Sequence, residues 1–165
     1  MSSLETKDRR PVGPPVTLDE AASHALITHA AAGFPHEVVG LLAGQAGAGH
    51  IARAVPLVNE AAEDPARRFA VDGRTLLRAE RALEAEGLDL LGYYHSHPAH
   101  PADWSDADRD GALPGLVYLI AAVDPPAADR PARVVDLQAW RLREDRSRMD
   151  AAPFHIGPLP STPVR

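Results

Sequence analysis

The sequence predicts one α/β domain, a mixed, partly antiparallel β-sheet sandwiched by helices. Three observations carry this. Two short β-patterned segments flank a Gly-rich turn between 37 and 57, which reads as a hairpin and therefore as antiparallel pairing. Patterns of helical period lie before and after that hairpin. The stretch Gly115-Leu-Val-Tyr-Leu-Ile-Ala-Ala-Val123 is unbroken apolar sequence, which suits a central strand covered on both faces. The chain has 165 residues, 45% of them hydrophobic, enough for one core, and with only 5% aromatics that core is largely aliphatic.

The elements follow in order. Residues 1–16 read as a disordered tail, polar and with three prolines in its last six positions. Thr17-Leu18-Asp19-Glu20 has the form of a capping box, with Thr17 as N-cap of a helix running to Ala32 and Gly33 as its stop. Strands at 37–43 and 51–57 enclose the turn Gly44–Gly49, and Ile51, Arg53, Val55 and Leu57 alternate along the second. A short strand is expected at Arg68–Val71. A second helix spans Gly73–Glu86, capped by Asp72 and stopped by Gly87. Leu76, Ala79 and Leu83 share one of its faces, with Arg74, Arg78 and Arg81 on the opposite one. Leu88–His97 reads as a strand entering a Pro-rich loop, Ser105–Gly111 as a short helix, 115–123 as the central strand and Ala132–Leu142 as the last strand. The folded unit is thus 17–150, followed by a Pro-rich tail at 151–165. There is no internal repeat.

Composition excludes several functions. Lys plus Arg is 17 against 23 Asp plus Glu, a net charge of −6. Mild acidity without a basic stripe argues against a nucleic-acid binder, whose phosphate contacts need clustered cations. With no cysteine there is no disulfide, iron–sulfur cluster, Cys-ligated zinc or thiol catalysis. No apolar run approaches the ~18 residues of a membrane span. The N-terminus lacks the apolar segment of a secretory signal, so the cytoplasm is the expected location.

The chemistry concentrates in Tyr94-His95-Ser96-His97-Pro98 and Ser105-Asp-Ala-Asp108. Residues two apart on a strand point the same way, so His95 and His97 can grip one ion together. Asp108 arrives eleven residues after His97, in the first turn of the short helix. Two imidazoles and one carboxylate make three protein ligands, the set that leaves zinc a fourth position for water. Each half has an ordinary reading alone. Paired histidines are common on strands, and Ser105 with Asp108 is also a helix cap with an acidic first turn. The joint pattern HxHP, six residues, SxxD decides for the metal.

That pattern resembles the JAMM motif of the MPN-domain (Mov34/PAD-1) zinc metallopeptidases, in the form of their compact bacterial members. The family asks also for an upstream Glu, and its first strand commonly reads ExxGxLxG. This chain has Glu37-Val-Val-Gly40-Leu-Leu42-Ala-Gly44. The resemblance covers roughly 17–143. It implies an MPN/JAB fold with a cytidine-deaminase-like α/β/α layout, and one zinc per chain held by His95, His97 and Asp108. By the same resemblance Glu37 sits beside the zinc's water as general base and then acid, and Ser105 hydrogen-bonds the oxyanion. The implied reaction is hydrolysis of an amide after the C-terminal Gly of a ubiquitin-like or sulfur-carrier protein. The segments Asn59–Arg68 and Pro98–Trp104 are short where larger deubiquitinases carry insertions, which favours a small carrier or a short peptide conjugate. A Gly-Gly tail, having no side chains, can thread a narrow groove and pair with strand edges.

The alternative is a non-catalytic MPN scaffold that only binds partners; such members usually lack ligands. A deaminase of similar layout would need PCxxC, which a cysteine-free chain cannot supply. A DNA-repair branch of the family reads HNHPSG, which Ser96 and Ala99 do not fit. His36 and His100 lie beside the motif but outside it, as surface residues or supports for a ligand. Asn59 is placed to shape the strand end next to the site, and Trp104 to cover the short helix or line a groove. His24, His29, His50 and His155 read as ordinary structural or surface histidines.

Overall fold

The structure, a computed structural model, describes residues 6–158. Its strands are β1 (Val16–Leu18), β2 (Val39–Gln45), β3 (His50–Leu57), β4 (Asp89–Pro98), β5 (Val117–Asp124), β6 (Arg133–Leu142), β7 (Met149–Ala151) and β8 (Phe154–Ile156). Its helices are α1 (Glu20–Gly33), α2 (Gly73–Ala85) and α3 (Asp106–Gly111). The strands form one sheet in the order β7-β6-β5-β4-β2-β3-β1-β8. β4 and β5 run parallel, as do β1 with β3 and with β8, while the remaining neighbours are antiparallel. No helix among the described residues is long and apolar enough to cross a membrane.

The pleat sorts the core into two layers. Leu42 of β2, Ile51 of β3, Tyr94 of β4 and Leu119 of β5 pack with Ala22, Leu26 and Ala30 of α1. On the other face Val39, Leu41 and Ala43 meet Leu83 of α2. Beside them, Ile120, Trp140 and Met149 pack with Trp104 and Ala112, which flank α3. α2 forms where expected, and the Asp72 carboxylate accepts from the N–H groups of Arg74 and Thr75. Gly87 follows it with a φ of +73°, the left-handed stop that glycine favours.

Four expectations change. Thr17 is not an N-cap: it lies buried in β1, paired with His50 on one side and His155 on the other. Asp19 takes the N-cap position without a side-chain cap bond. Pairing with two strands satisfies more backbone groups than a local cap could. Residues 68–71 join no strand of the sheet. They run as an irregular segment tied to Asn59 instead. The segment after 150 is not a loose tail as far as 158, since β7 ends at Ala151 and β8 pairs with β1 at the opposite edge of the sheet. Within 1–16, Arg9 bonds Asp103 at 2.8 Å and Asp136 at 2.7 Å, and Val16 belongs to β1. The parts of both predicted tails at 1–5 and 159–165 lie outside the described residues.

Tyr94 has no accessible surface, and its hydroxyl and His29 Nδ1 are hydrogen-bonded at 2.7 Å. Its phenol edge lies against Gly40 of the neighbouring β2, where a Cβ would clash with Cε1, Cζ and the hydroxyl oxygen. Gly40→Ala therefore forces Tyr94 to move in a close-packed layer. We expect a loss of about 1–3 kcal/mol, read as a lower urea midpoint with unchanged slope.

Candidate metal centre

β4 lies between β2 and β5 near the middle of the sheet, and the site is built on its C-terminal end. The pleat sends Tyr94 and Ser96 toward α1 and sends Tyr93, His95 and His97 toward α2 and α3. Ser96 is fully buried. Its Oγ accepts from Val38 N–H at 2.9 Å and its own N–H donates to Val38 O at 3.1 Å. This fastens the start of β2, and with it Glu37, alongside the two histidines.

Asp108 comes from α3. The Ser105 hydroxyl accepts from Asp108 N–H at 3.1 Å, while the Asp108 carboxylate accepts from Ser105 N–H at 2.7 Å. This reciprocal capping box holds the carboxylate in one rotamer. Its Oδ1 lies 3.0 Å from His95 Nε2 and its Oδ2 3.3 Å from His97 Nε2. The two Nε2 atoms are 3.1 Å apart. Ligand atoms set tetrahedrally about one zinc at 2.0–2.1 Å would be about 3.3 Å apart, so the triad has the spacing of a metal site. His97 adds a second sign. Its Nδ1–H donates to Pro101 O at 2.8 Å, and since a carbonyl only accepts, the neutral ring has its Nε2 lone pair facing the cluster. His95, His97 and Asp108 are thus a group that could hold a metal ion.

Residues 19–143 match the family model described as prokaryotic homologs of the JAB domain. The chain belongs to the JAB-domain family. Over 114 residues it is 37% identical to the desampylase of Haloferax volcanii, covering 66% of this chain and 81% of that protein. Over 107 residues it is 39% identical to the probable TtuB-protein conjugate cleaving protease of Thermus thermophilus, covering 65% and 66%. Among solved structures, a protein of Desulfitobacterium hafniense superposes with a TM-score of 0.69 at 28% identity, covering 87% of this chain and 94% of that one. A JAB1/MPN domain protein from Archaeoglobus fulgidus superposes with a TM-score of 0.51 at 15% identity over 87% of this chain and all of that one, a likeness of fold.

In this JAB domain Glu37 and Ser105 line the same cleft as His95 and Asp108. The cleft has a volume of about 640 Å³ and runs from these residues over Tyr93 and Tyr118 to Met149. One wall is the segment 67–71 and the other is α3 with Leu113. The Phe69 ring covers His95, its centroid 5.2 Å from the imidazole. Asn59 holds that wall in place. Its amide group donates to Glu37 O and to Arg68 O, both at 2.9 Å, and its carbonyl accepts from Ala61 N–H at 3.0 Å and Ala70 N–H at 3.1 Å. One side chain thereby links Glu37, two residues before β2, to the segment bearing Phe69. His36 and His100 are exposed and outside the triad. Trp104 is buried among Trp140 and Met149 and covers the α3 end rather than lining the cleft. The sequence reading missed the Pro101 carbonyl and Phe69. Neither has a motif, although a phenylalanine directly after a polar loop in an aromatic-poor chain is itself a signal.

The two carboxylates are driven apart. Burial alone would raise Asp108, but His95 and His97 outweigh it and hold the group far below the ordinary carboxylate range. Burial works against a proton on His97, and Asp108 and the Pro101 carbonyl together still raise its pKa. Glu37 is 8% exposed. Its desolvation raises the pKa to about 7, with His97 opposing and Asp108 and Asp64 adding to the rise.

This has a consequence for the metal-free protein. Glu37 binds its proton more tightly folded than unfolded, so its contribution to stability is complete below about pH 4.5 and is lost as pH rises toward 7. His97 runs in the same direction, and Asp108 in the opposite one, its contribution being lost in acid. Glu37→Gln should therefore gain stability over wild type at pH 8 by up to about 3 kcal/mol and gain little at pH 4.5. Urea denaturation of the metal-free forms at the two pH values measures it.

Proposed function

We propose that the protein is a cytoplasmic zinc-dependent (iso)peptidase. It hydrolyses the amide that follows the C-terminal Gly of a ubiquitin-like or sulfur-carrier protein. The observation that carries this reading is the convergence of His95, His97 and Asp108 at tetrahedral spacing with a desolvated Glu37 lining the same cleft. The names of the two relatives, a desampylase and a probable conjugate cleaving protease, support a protein conjugate as substrate. Phe69, packed against His95 in the cleft wall, narrows the approach to the metal ligands, which supports a tail without side chains.

His95 Nε2, His97 Nε2 and an Asp108 oxygen would hold the zinc. Bound there, zinc brings the pKa of a water to about 7 and polarises the scissile carbonyl. Glu37 takes the proton of the attacking water. It then delivers that proton to the leaving amine, which departs poorly as an anion. Ser105 serves twice. Its oxygen accepts from Asp108 N–H as helix cap, and its hydroxyl hydrogen remains free to bond the oxyanion. The products are a carrier with a free C-terminal carboxylate and an amine from an amino acid, a peptide or a lysine side chain.

The protein should take up one zinc per chain, and His95→Ala, His97→Ala or Asp108→Ala should abolish uptake, as metal analysis after dialysis will read. Glu37→Gln should bind zinc as wild type does yet cleave about 10²–10⁴-fold more slowly. It should also retain the uncut conjugate on a column. Equal rates for the two would remove Glu37 from the reaction.

Ser105→Ala should cost about 1 kcal/mol of stability through the lost cap. With zinc retained it should also lower kcat by about 10²–10³. A metal-loaded, fully active Ser105→Ala would leave Ser105 as a cap alone.

A further inference from the structure

α2 has two unlike faces. Leu76, Ala79 and Leu83 pack toward the sheet. Arg74, Leu77, Arg78 and Arg81 share the other face at i, i+3, i+4 and i+7, and all four are exposed, Leu77 at 47%. Arg67 and Arg68, in the segment leading into α2, are exposed as well and line the cleft beside Phe69. Five arginines thus fall between 67 and 81 in a chain of net charge −6.

None of the five is in an ion pair among the described residues, whereas Arg9, Arg53, Arg109, Arg143 and Arg148 each sit against a carboxylate. The acidic residues of the same stretch are engaged elsewhere. Asp72 caps α2, and Glu80 is close enough to Tyr93 to raise its phenol pKa, an effect second to burial. Glu84, three residues past Arg81, pairs with none of them.

We propose that this arginine face docks an acidic surface on the folded body of the carrier protein whose C-terminal tail enters the cleft. The inference rests on the peptidase reading above and adds how the carrier's body is recognised. An uncompensated cationic surface attracts a partner of opposite charge and sets its orientation. Continuity with Arg67 and Arg68 at the cleft puts that partner where its tail can reach the metal ligands. The composition favours a protein over a nucleic acid. Leu77 stands among the arginines, Phe69 and Leu113 are exposed beside the cleft at 41% and 55%, and the rest of the chain is acidic and repels a polyanion.

The test compares wild type with the triple variants Arg74→Glu/Arg78→Glu/Arg81→Glu and Arg74→Lys/Arg78→Lys/Arg81→Lys, each zinc-loaded and checked for an unchanged melting temperature. One substrate is a peptide amide conjugate of a net-negative ubiquitin-fold carrier ending Gly-Gly. The other is a synthetic peptide amide carrying only the carrier's tail. Binding of the free carrier is followed by fluorescence anisotropy at low and high salt. With the conjugate, the Glu variant should raise KM about ten- to a hundred-fold at unchanged kcat and lose the salt dependence of wild type. The Lys variant should keep most of the affinity, and all three should cleave the tail peptide equally.

An unchanged KM for the conjugate, or an equal loss on the tail peptide, would overturn the proposal. So would displacement of the carrier by duplex DNA, which would assign the face to nucleic acid. If wild type cleaves neither substrate, the peptidase reading fails, and carrier binding still decides the docking. Salt-sensitive binding lost in the Glu variant upholds it, and no binding refutes it.

Discussion

The site depends on the two hydrogen bonds between Ser96 and Val38. Ser96 stands between the two histidines, and Val38 follows Glu37. Its hydroxyl is fully buried, so a slip of β4 against β2 would leave a polar group without a partner in the α1 layer, at a cost of about 1–3 kcal/mol. Slippage by one residue would also turn both histidines to the wrong face. Fixing this register therefore fixes three functional side chains at once. The fourth, Asp108, comes from another element and is held by its own capping box and by His95 and His97.

The same architecture divides labour between two carboxylates. Asp108 faces two imidazoles and a backbone N–H and stays ionised, as a metal ligand must. Glu37 is shut away from water at the edge of the same cleft, where burial raises its pKa to about 7 in the metal-free protein. Groups of one chemical type are set to opposite tasks by what surrounds them. Asn59 joins this arrangement to the cleft wall, since its four hydrogen bonds use all its amide capacity and leave Glu37 and the Phe69 segment no independent freedom.

Much of this was legible in the sequence. HxHP and SxxD encode strand and helix periodicity directly, and the apolar run at 115–123 lies in β5 from Val117 onward, between β4 and β6. What the sequence did not reveal is long-range. β1, β7 and β8 have three residues each, too few to display a period, and they form only because a sheet edge is already there to pair with. Thr17 carries a cap signature that two flanking strands override. The segment 68–71 has strand composition, but its backbone bonds go to the Asn59 side chain and to the Glu60 N–H. The arginine face of α2 was legible in its helical period, but its place beside the cleft is a long-range fact.

If His95, His97 and Asp108 hold the metal that drives the reaction, cleavage follows zinc occupancy. The protein would be stripped with a chelator, reloaded stepwise and incubated with the carrier conjugate, with the products read by mass spectrometry. The stripped protein should not cleave, the rate should rise linearly until one zinc per chain, and the released carrier should end in a free glycine carboxylate. Cleavage that survives stripping, or a fully loaded protein that leaves the conjugate intact, would contradict that role of the metal.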